Sequence, residues 1–303
     1  MFNLNRAFNL VILFLVVGLM LSIVNPVMGQ ETSTAYVSFY PLYDAATKIG
    51  GNQIDIKLVI PNGAEVHSYK PSPQKIAQLE TADIFFYNGV GLESWADKAV
   101  QNLKGSKVKT VNLSKSVDLL PLADHHNKHH NDPHIWLDPL NMKMIGEVIT
   151  EEFCRLDPEH KEIYQQNFDQ FAQQIDQLHK EYKTVLADKQ QKYILVSHSA
   201  FGYLTNRYGL EQISVTGIAP HEEPSPNTLA RLTQKANQYN LNYIFRETLS
   251  SPKTVNALAQ EADLEILPLN PIAGLTETEQ QNNEDYFSLM RQNLDNLKKA
   301  VKK

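Results

Sequence analysis

The chain has 303 residues, 42% of them hydrophobic and 20% charged, with a formal net charge of −6. This balance excludes a disordered chain, and the acidic charge argues against a nucleic-acid-binding surface. The single cysteine, Cys154, excludes an internal disulfide, so the fold must rest on its core, as one large α/β domain or as two lobes of roughly 130 residues each.

Residues 1–29 read as a secretory signal peptide. Arg6 supplies a positive start, Leu10–Leu21 is almost purely apolar, and Asn25-Pro26 breaks the run before Val27-Met28-Gly29, with cleavage expected after Gly29. The alternative is a retained N-terminal anchor, for which the run is short against the roughly 17–25 residues of a spanning helix. No cysteine lies near Gly29, so no lipid attachment is expected there.

From Gln30 the chain alternates. Strands are predicted at Ala35–Phe39, Ile54–Ile60, Asp83–Tyr87 and Val108–Leu113, with helices at Pro41–Ile49, Ser72–Leu79 and Glu93–Leu103 between them. This order predicts a mainly parallel sheet covered by helices. Asp138-Pro139 is an N-cap followed by proline at the first helical position, opening a helix that runs to Phe153. Cys154 falls in the apolar helical pattern of Ile145, Ile149 and Phe153 and is expected as a buried, inert thiol. Asp157-Pro158 repeats the signal, and nothing breaks a helix from there to about Asp188, where Ile163, Phe168, Phe171, Ile175, Leu178 and Tyr182 keep a helical spacing. A helix of about 30 residues spans about 45 Å, long enough to serve as a rigid backbone for two lobes; two ordinary helices with a bend are the alternative. Alternation then resumes, with strands at Tyr193–Ser197, Gln212–Thr216, Tyr243–Arg246 and Glu265–Leu269, helices at Ala200–Tyr208, Asn227–Tyr239 and Pro252–Ala262, and a last helix from about Asn283 to Val301. The expected fold is α/β, with two lobes, each a mainly parallel sheet flanked by helices, joined by one long rigid helix. The expected division is 30–156 for the first lobe, 157–190 for the linking helix and 191–303 for the second lobe.

Three isolated histidines fall at predicted strand ends. His67 follows Ile54–Ile60 in the loop PNGAEVHSYKPSP, His134 follows Val108–Leu113 after a long loop, and His198 directly follows Tyr193–Ser197. In open α/β sheets ligands bind beyond the carboxyl ends of the strands, so all three belong to the functional edge. Neutral imidazole is the commonest protein ligand for zinc-like metals, and three such ligands suffice. Each histidine alone also reads as an ordinary polar loop or strand-end residue; their shared placement argues for one metal in a cleft between the lobes. A second group, His125, His126, His129 and His130, lies in the run DHHNKHH just before His134 and reads as a solvated loop with weak metal affinity.

The segments GAEVHSYKPSP, DPHIWLDP and VSHSAFGYL resemble the motifs of the metal-binding proteins of ABC transporters, in the cluster A-I, TroA-like family and its zinc-uptake, ZnuA-like branch. The resemblance covers nearly the whole chain after the signal, including ADIFFYNGVGLESW (Ala82–Trp95), the long central helix and HEEPSP (His221–Pro226). It implies two lobes linked by a rigid helix, with one metal in the cleft held by His67, His134 and His198. Histidine at the third position is similar to the zinc members rather than the manganese members, in keeping with imidazole for zinc and oxygen-rich sites for manganese. Where some members carry a carboxylate ligand in the last lobe, this chain reads LNPIAGLT, with Asn270 and Ala273. Glu277 and Glu279 follow it and are expected to start or precede the final helix. The expected fourth position is water or a weak ligand, with Glu65 and Glu247 as candidates for a fourth ligand or for a carboxylate behind the histidines. Asp138 is expected as an N-cap, and His221, Glu222 and Glu223 have no assigned place on the metal. The resemblance implies that the histidine run is an auxiliary capture loop.

The expected function is that of a periplasmic zinc-binding protein that captures Zn2+ between its lobes and delivers it to an ABC permease in the membrane. It is expected to be a monomer that neither acts as an enzyme nor binds nucleic acid. The alternatives are a secreted zinc-dependent hydrolase, since three protein ligands with an open position also describe catalytic zinc, or a manganese-binding or adhesion member of the same fold. Against the hydrolase, the chain contains no HExxH and no Gly-x-Ser-x-Gly.

Overall fold

A computed structural model of the chain describes residues 32–122, 131–218, 220, 224–249 and 252–302. The first half runs β1 (Ser33–Val37), α1 (Tyr40–Gly50), β2 (Ile54–Leu58), α2 (Pro73–Gln78), β3 (Ile84–Tyr87), α3 (Ala96–Asn102) and β4 (Lys109–Asn112). These strands form a parallel sheet in the order β2-β1-β3-β4. Its interior strand β3, Ile-Phe-Phe-Tyr, is buried at every position, as a strand covered on both faces requires. The second half runs β5 (Tyr193–Val196), α6 (Gly202–Tyr208), β6 (Glu211–Ser214), α7 (Pro226–Gln238), β7 (Tyr243–Arg246), α8 (Lys253–Glu261) and β8 (Glu265–Pro268). Its sheet is also parallel, in the order β6-β5-β7-β8. The two sheets share one topology, and in each the strand order reverses beside the first strand, between β1 and β3 and between β5 and β7. Such a reversal opens a crevice at the carboxyl ends of the strands.

Between the sheets lie α4 (Pro139–Leu156) and α5 (Lys161–Val185). Asp138 caps α4 by accepting from Leu140 N, with Pro139 in the first turn. The continuous helix of about 30 residues expected from Asp157 onward is in fact a 3-10 turn, Pro158–His160, followed by a 25-residue α-helix about 38 Å long. Asp157 explains the break. Its Oδ2 accepts from His160 Nδ1 and Tyr164 Oη, both at 2.6 Å, which holds the chain in a corner before α5 begins. The buried face of α5, including Phe171, Ile175, Leu178 and Tyr182, packs against α1, α4 and the final helix α10 (Tyr286–Val301). It therefore touches elements from both halves. Glu277 and Glu279 do not begin α10. They precede it, in a separate short helix, α9 (Glu277–Gln281), opened by a capping box between Thr276 and Glu279.

Of three apolar clusters among the described residues, two each belong to one half, and the third runs through both sheets, from Ala35 and Val37 by way of Trp136 and Ile175 to Tyr286 and Val301. Polar ties reinforce it. Trp136 Nε1 donates to Pro271 O (2.7 Å) and Tyr286 Oη to Trp136 O (2.8 Å), while Lys48 of α1 pairs with Asp285 at the start of α10 (3.1 Å). Ser33–Lys303 accordingly form a single compact unit. Cys154 is partly exposed rather than buried, because it lies at the α4–α5 corner with Sγ near Lys161 O. Desolvation still raises its thiol pKa.

Candidate metal centre

Each of the three histidines is delivered by a different local device. His67 lies in the loop after β2. Glu65 closes that loop on itself, its Oε1 accepting from His67 N (3.0 Å) and its Oε2 from Ser68 N (2.8 Å), which turns the half-buried imidazole inward. His134 follows the segment after β4 and is 1% exposed. Asp132 Oδ1 accepts from both His134 N (2.9 Å) and His134 Nδ1 (2.8 Å), and Asn88 Nδ2 donates to Pro133 O (2.9 Å). His198 sits two residues beyond β5. The β5–β7 register pairs Val196 with Phe245, so His198 and Glu247 leave the sheet side by side at its crevice. Glu247 Oε1 accepts from Ser197 Oγ and from His198 Nδ1.

The rings converge. His134 Nε2 lies 3.3 Å from His67 Nε2 and 3.3 Å from His198 Nε2, and one nitrogen from each ring falls within 4.8 Å of the others. Among the described residues this is the one cluster of three or more potential ligands. The carboxylates on Nδ1 of His134 and His198 fix the tautomer. When neutral, these rings carry their proton on Nδ1 and turn the Nε2 lone pair inward. Two lone pairs facing each other at 3.3 Å repel unless a cation sits between them. The spacing also suits zinc: bonds of about 2.05 Å at the tetrahedral angle place neighbouring nitrogens about 3.3 Å apart, whereas right-angled ligands at that bond length would stand about 2.9 Å apart. Burial lowers the pKa of His134, with Asp132 opposing the shift, so the ring is held neutral and ready to ligate.

A cavity of about 30 Å³ adjoins the three rings, lined by Ala64, Val66, Leu249, Pro271 and Ala273 as well as Glu247 and Asn270. That is the space of about one water molecule. Asn270 is spent on its own loop: Oδ1 accepts from Ile272 N (2.7 Å) and Nδ2 donates to Glu279 Oε1 (2.7 Å). Glu279 Oε2 accepts from Thr276 N (2.7 Å). Of the two expected candidate carboxylates, Glu247 stands behind His198, and Glu65 turns its oxygens to the backbone of its own loop. His125, His126, His129 and His130 lie outside the described residues, as do residues 1–29, His221, Glu222 and Glu223.

Sequence reasoning missed Asp132, although the signal was present as an acid two residues before a candidate ligand histidine. Nor did it single out Glu93, which acts on the loop behind the cluster. This buried carboxylate accepts from Ser38 Oγ (2.5 Å), Asn88 N (2.8 Å) and Gly89 N (3.3 Å), and so fixes the loop from which Asn88 reaches Pro133. Desolvation raises its pKa.

Comparison with known proteins gives consistent matches. The family described as zinc-uptake complex component A, periplasmic (ZnuA), matches residues 36–300. The high-affinity zinc uptake system protein ZnuA of Bacillus subtilis is 33% identical over 274 residues, covering 87% of this chain and 86% of that protein. The zinc-binding lipoprotein AdcA of Streptococcus pneumoniae is 33% identical over 274 residues, with the chain spanning only 55% of AdcA's length. A crystal structure of Zn(II)-bound AdcA from that species superimposes with a TM-score of 0.80 at 33% identity, over 90% of this chain and 58% of that one. The laminin-binding protein Lmb of Streptococcus agalactiae, described as having adhesin and metal-transporting activity, matches with a TM-score of 0.80 at 31% identity over 89% of this chain and 100% of its own.

Proposed function

The chain belongs to the family of the periplasmic zinc-uptake component A, ZnuA, and on that footing we propose that it captures Zn2+ on His67, His134 and His198 and delivers the ion to an ABC permease. The observation that carries the reading is that the Nε2 atoms of His67 and His198 each lie 3.3 Å from that of His134, with two of the three rings carrying a buried carboxylate on Nδ1 that sets the tautomer. Three neutral imidazoles favour zinc over manganese. Solvent in the small cavity beside Ala273 completes the tetrahedron. Residues 30–156 and 191–303 act as the two lobes that share the ion, with 157–190 as their link. The histidine run at 125–130 is an auxiliary loop of weaker affinity.

The reading is of a binding protein and not a hydrolase. Its support is that Asp132, Glu247 and Glu65 direct oxygens to imidazole, hydroxyl or backbone donors, where they orient ligands instead of activating water. The protein works as an exported monomer with no nucleic-acid partner, in keeping with its net charge of −6. AdcA is described as a lipoprotein; the one cysteine of this chain is Cys154, within α4. The test is a zinc titration against a competing chelator for the wild type and for His67→Ala, His134→Ala and His198→Ala. Each substitution is expected to abolish the tight site without producing or removing hydrolytic turnover. Full stoichiometry and affinity in all three variants would overturn the assignment.

A further inference from the structure

Helix α6 begins four residues after His198, yet it grips the segment that carries His134. Tyr203 Oη donates to Asp132 O (2.9 Å) and accepts from Leu120 N (3.0 Å). Arg207 Nε donates to Asp138 Oδ2 (2.7 Å), and its Nη2 lies 2.6 Å from the same oxygen. Next to Tyr203, at the first residue of the helix, Gly202 lies close against the Asp132 carboxylate. A methyl group on Gly202 would overlap Asp132 Oδ2 and stand 3.5 Å from its Cγ.

The carboxylate cannot turn away without consequence. Its other oxygen, Oδ1, holds both His134 N and His134 Nδ1, and the backbone of Asp132 is tied through its N–H to Leu120 O (2.8 Å). Any rotation that made room at Oδ2 would lift Oδ1 off the imidazole. On the far side, the Gln212 side chain would stand 3.4 Å from the methyl group and is itself held by Phe201 N (2.9 Å) and Ser199 Oγ (3.2 Å). Nothing in the backbone asks for glycine here. Gly202 is not among the residues with positive φ, and helix propensity alone would favour alanine. The demand comes from the carboxylate.

We infer that Gly202 is a positioning residue for metal binding: its missing side chain seats the Asp132 carboxylate on His134, so the lobe that supplies His198 also sets the orientation of the first lobe's buried ligand. The inference rests on the reading that these histidines hold zinc.

The experiment combines zinc titration of Gly202→Ala, Asp132→Ala and the double variant with NMR of the His134 Nδ1–H proton in zinc-free protein. Removing an outer carboxylate typically weakens metal binding about 10–100-fold, and Gly202→Ala and Asp132→Ala are each expected to fall in that range. In the double variant the methyl group has room, so its affinity should stay within about threefold of Asp132→Ala alone, a strong departure from additivity. The Nδ1–H resonance, protected in the wild type, should be lost in Gly202→Ala. If Gly202→Ala lowers the melting temperature of the zinc-free protein, the double variant should recover it. Wild-type affinity and an intact ring proton in Gly202→Ala would overturn the inference, as would losses that multiply in the double variant. If His134→Ala binds zinc as the wild type does, the metal assignment fails, and the ring proton still decides whether Gly202 seats Asp132.

Discussion

A carboxylate on Nδ1 fixes which nitrogen of a buried imidazole carries the proton and raises the basicity of the other. Asp132 does this for His134 and Glu247 for His198. Glu247→Gln is therefore expected to weaken zinc binding about 10–100-fold while leaving the fold intact; a change below about threefold in a competition titration would remove Glu247 from the ligand's support. The pH dependence follows from His134. Burial lowers its pKa below the ordinary 6.5, so as pH falls through about 6.5 the unfolded chain takes up a proton that the folded chain refuses. The zinc-free protein should lose stability from about pH 7 downward, by no more than about 1.4 kcal/mol per pH unit from this group. Denaturant unfolding at stepped pH values checks this, and the slope should shrink in His134→Gln. Zinc affinity should fall only at lower pH, once the ring in the folded, zinc-free protein takes up a proton and competes with the metal.

At the scale of elements, the α4–α5 crossing holds the scaffold. Gly146 of α4 lets Phe171 of α5 come close: a methyl group at 146 would stand 2.9 Å from Phe171 Cε1 and 3.4 Å from Ile49 Cδ1. Helix propensity favours alanine by about 1 kcal/mol, and overpacking costs about 1–3 kcal/mol. Gly146→Ala should therefore lower the denaturant midpoint by the equivalent of about 1 kcal/mol; a raised midpoint would show that the crossing relaxes freely. Most elements were legible because their signals are local, such as Asp138-Pro139 at the start of α4 and the apolar run of β3. The break at Pro158–His160 was not, since it depends on Asp157 meeting the hydroxyl of Tyr164 seven residues later. Glu277 and Glu279 do precede the final helix, as expected, but the short helix α9 that they form, with its capping box on Thr276, was not anticipated.

At the scale of the molecule, the shared core makes the two sheets one folding unit. Zinc-free protein should unfold in a single calorimetric transition, because Trp136, Ile175 and Tyr286 belong to the same apolar cluster. Zinc, binding only the folded state, should raise that transition, by about 2.7 kcal/mol of stability when free zinc is a hundredfold above the dissociation constant. A chelator should reverse the shift, and two separate transitions would show that the lobes melt independently.

The sequence by itself determined the class of fold, the strand ends and the three histidines as candidates that the fold brings together, because each depends on apolar runs, caps and side-chain chemistry within a few neighbouring residues. Only the tertiary structure decided which carboxylate serves which ring. Asp132 lies two residues from His134, but Glu247 lies 49 residues from His198, and sheet register brings it there. The same holds for Gly202, whose requirement becomes visible only when α6 is laid against a segment from the other lobe. Ligand identity is local chemistry; ligand orientation is a property of packing, and packing joins residues that the chain keeps far apart.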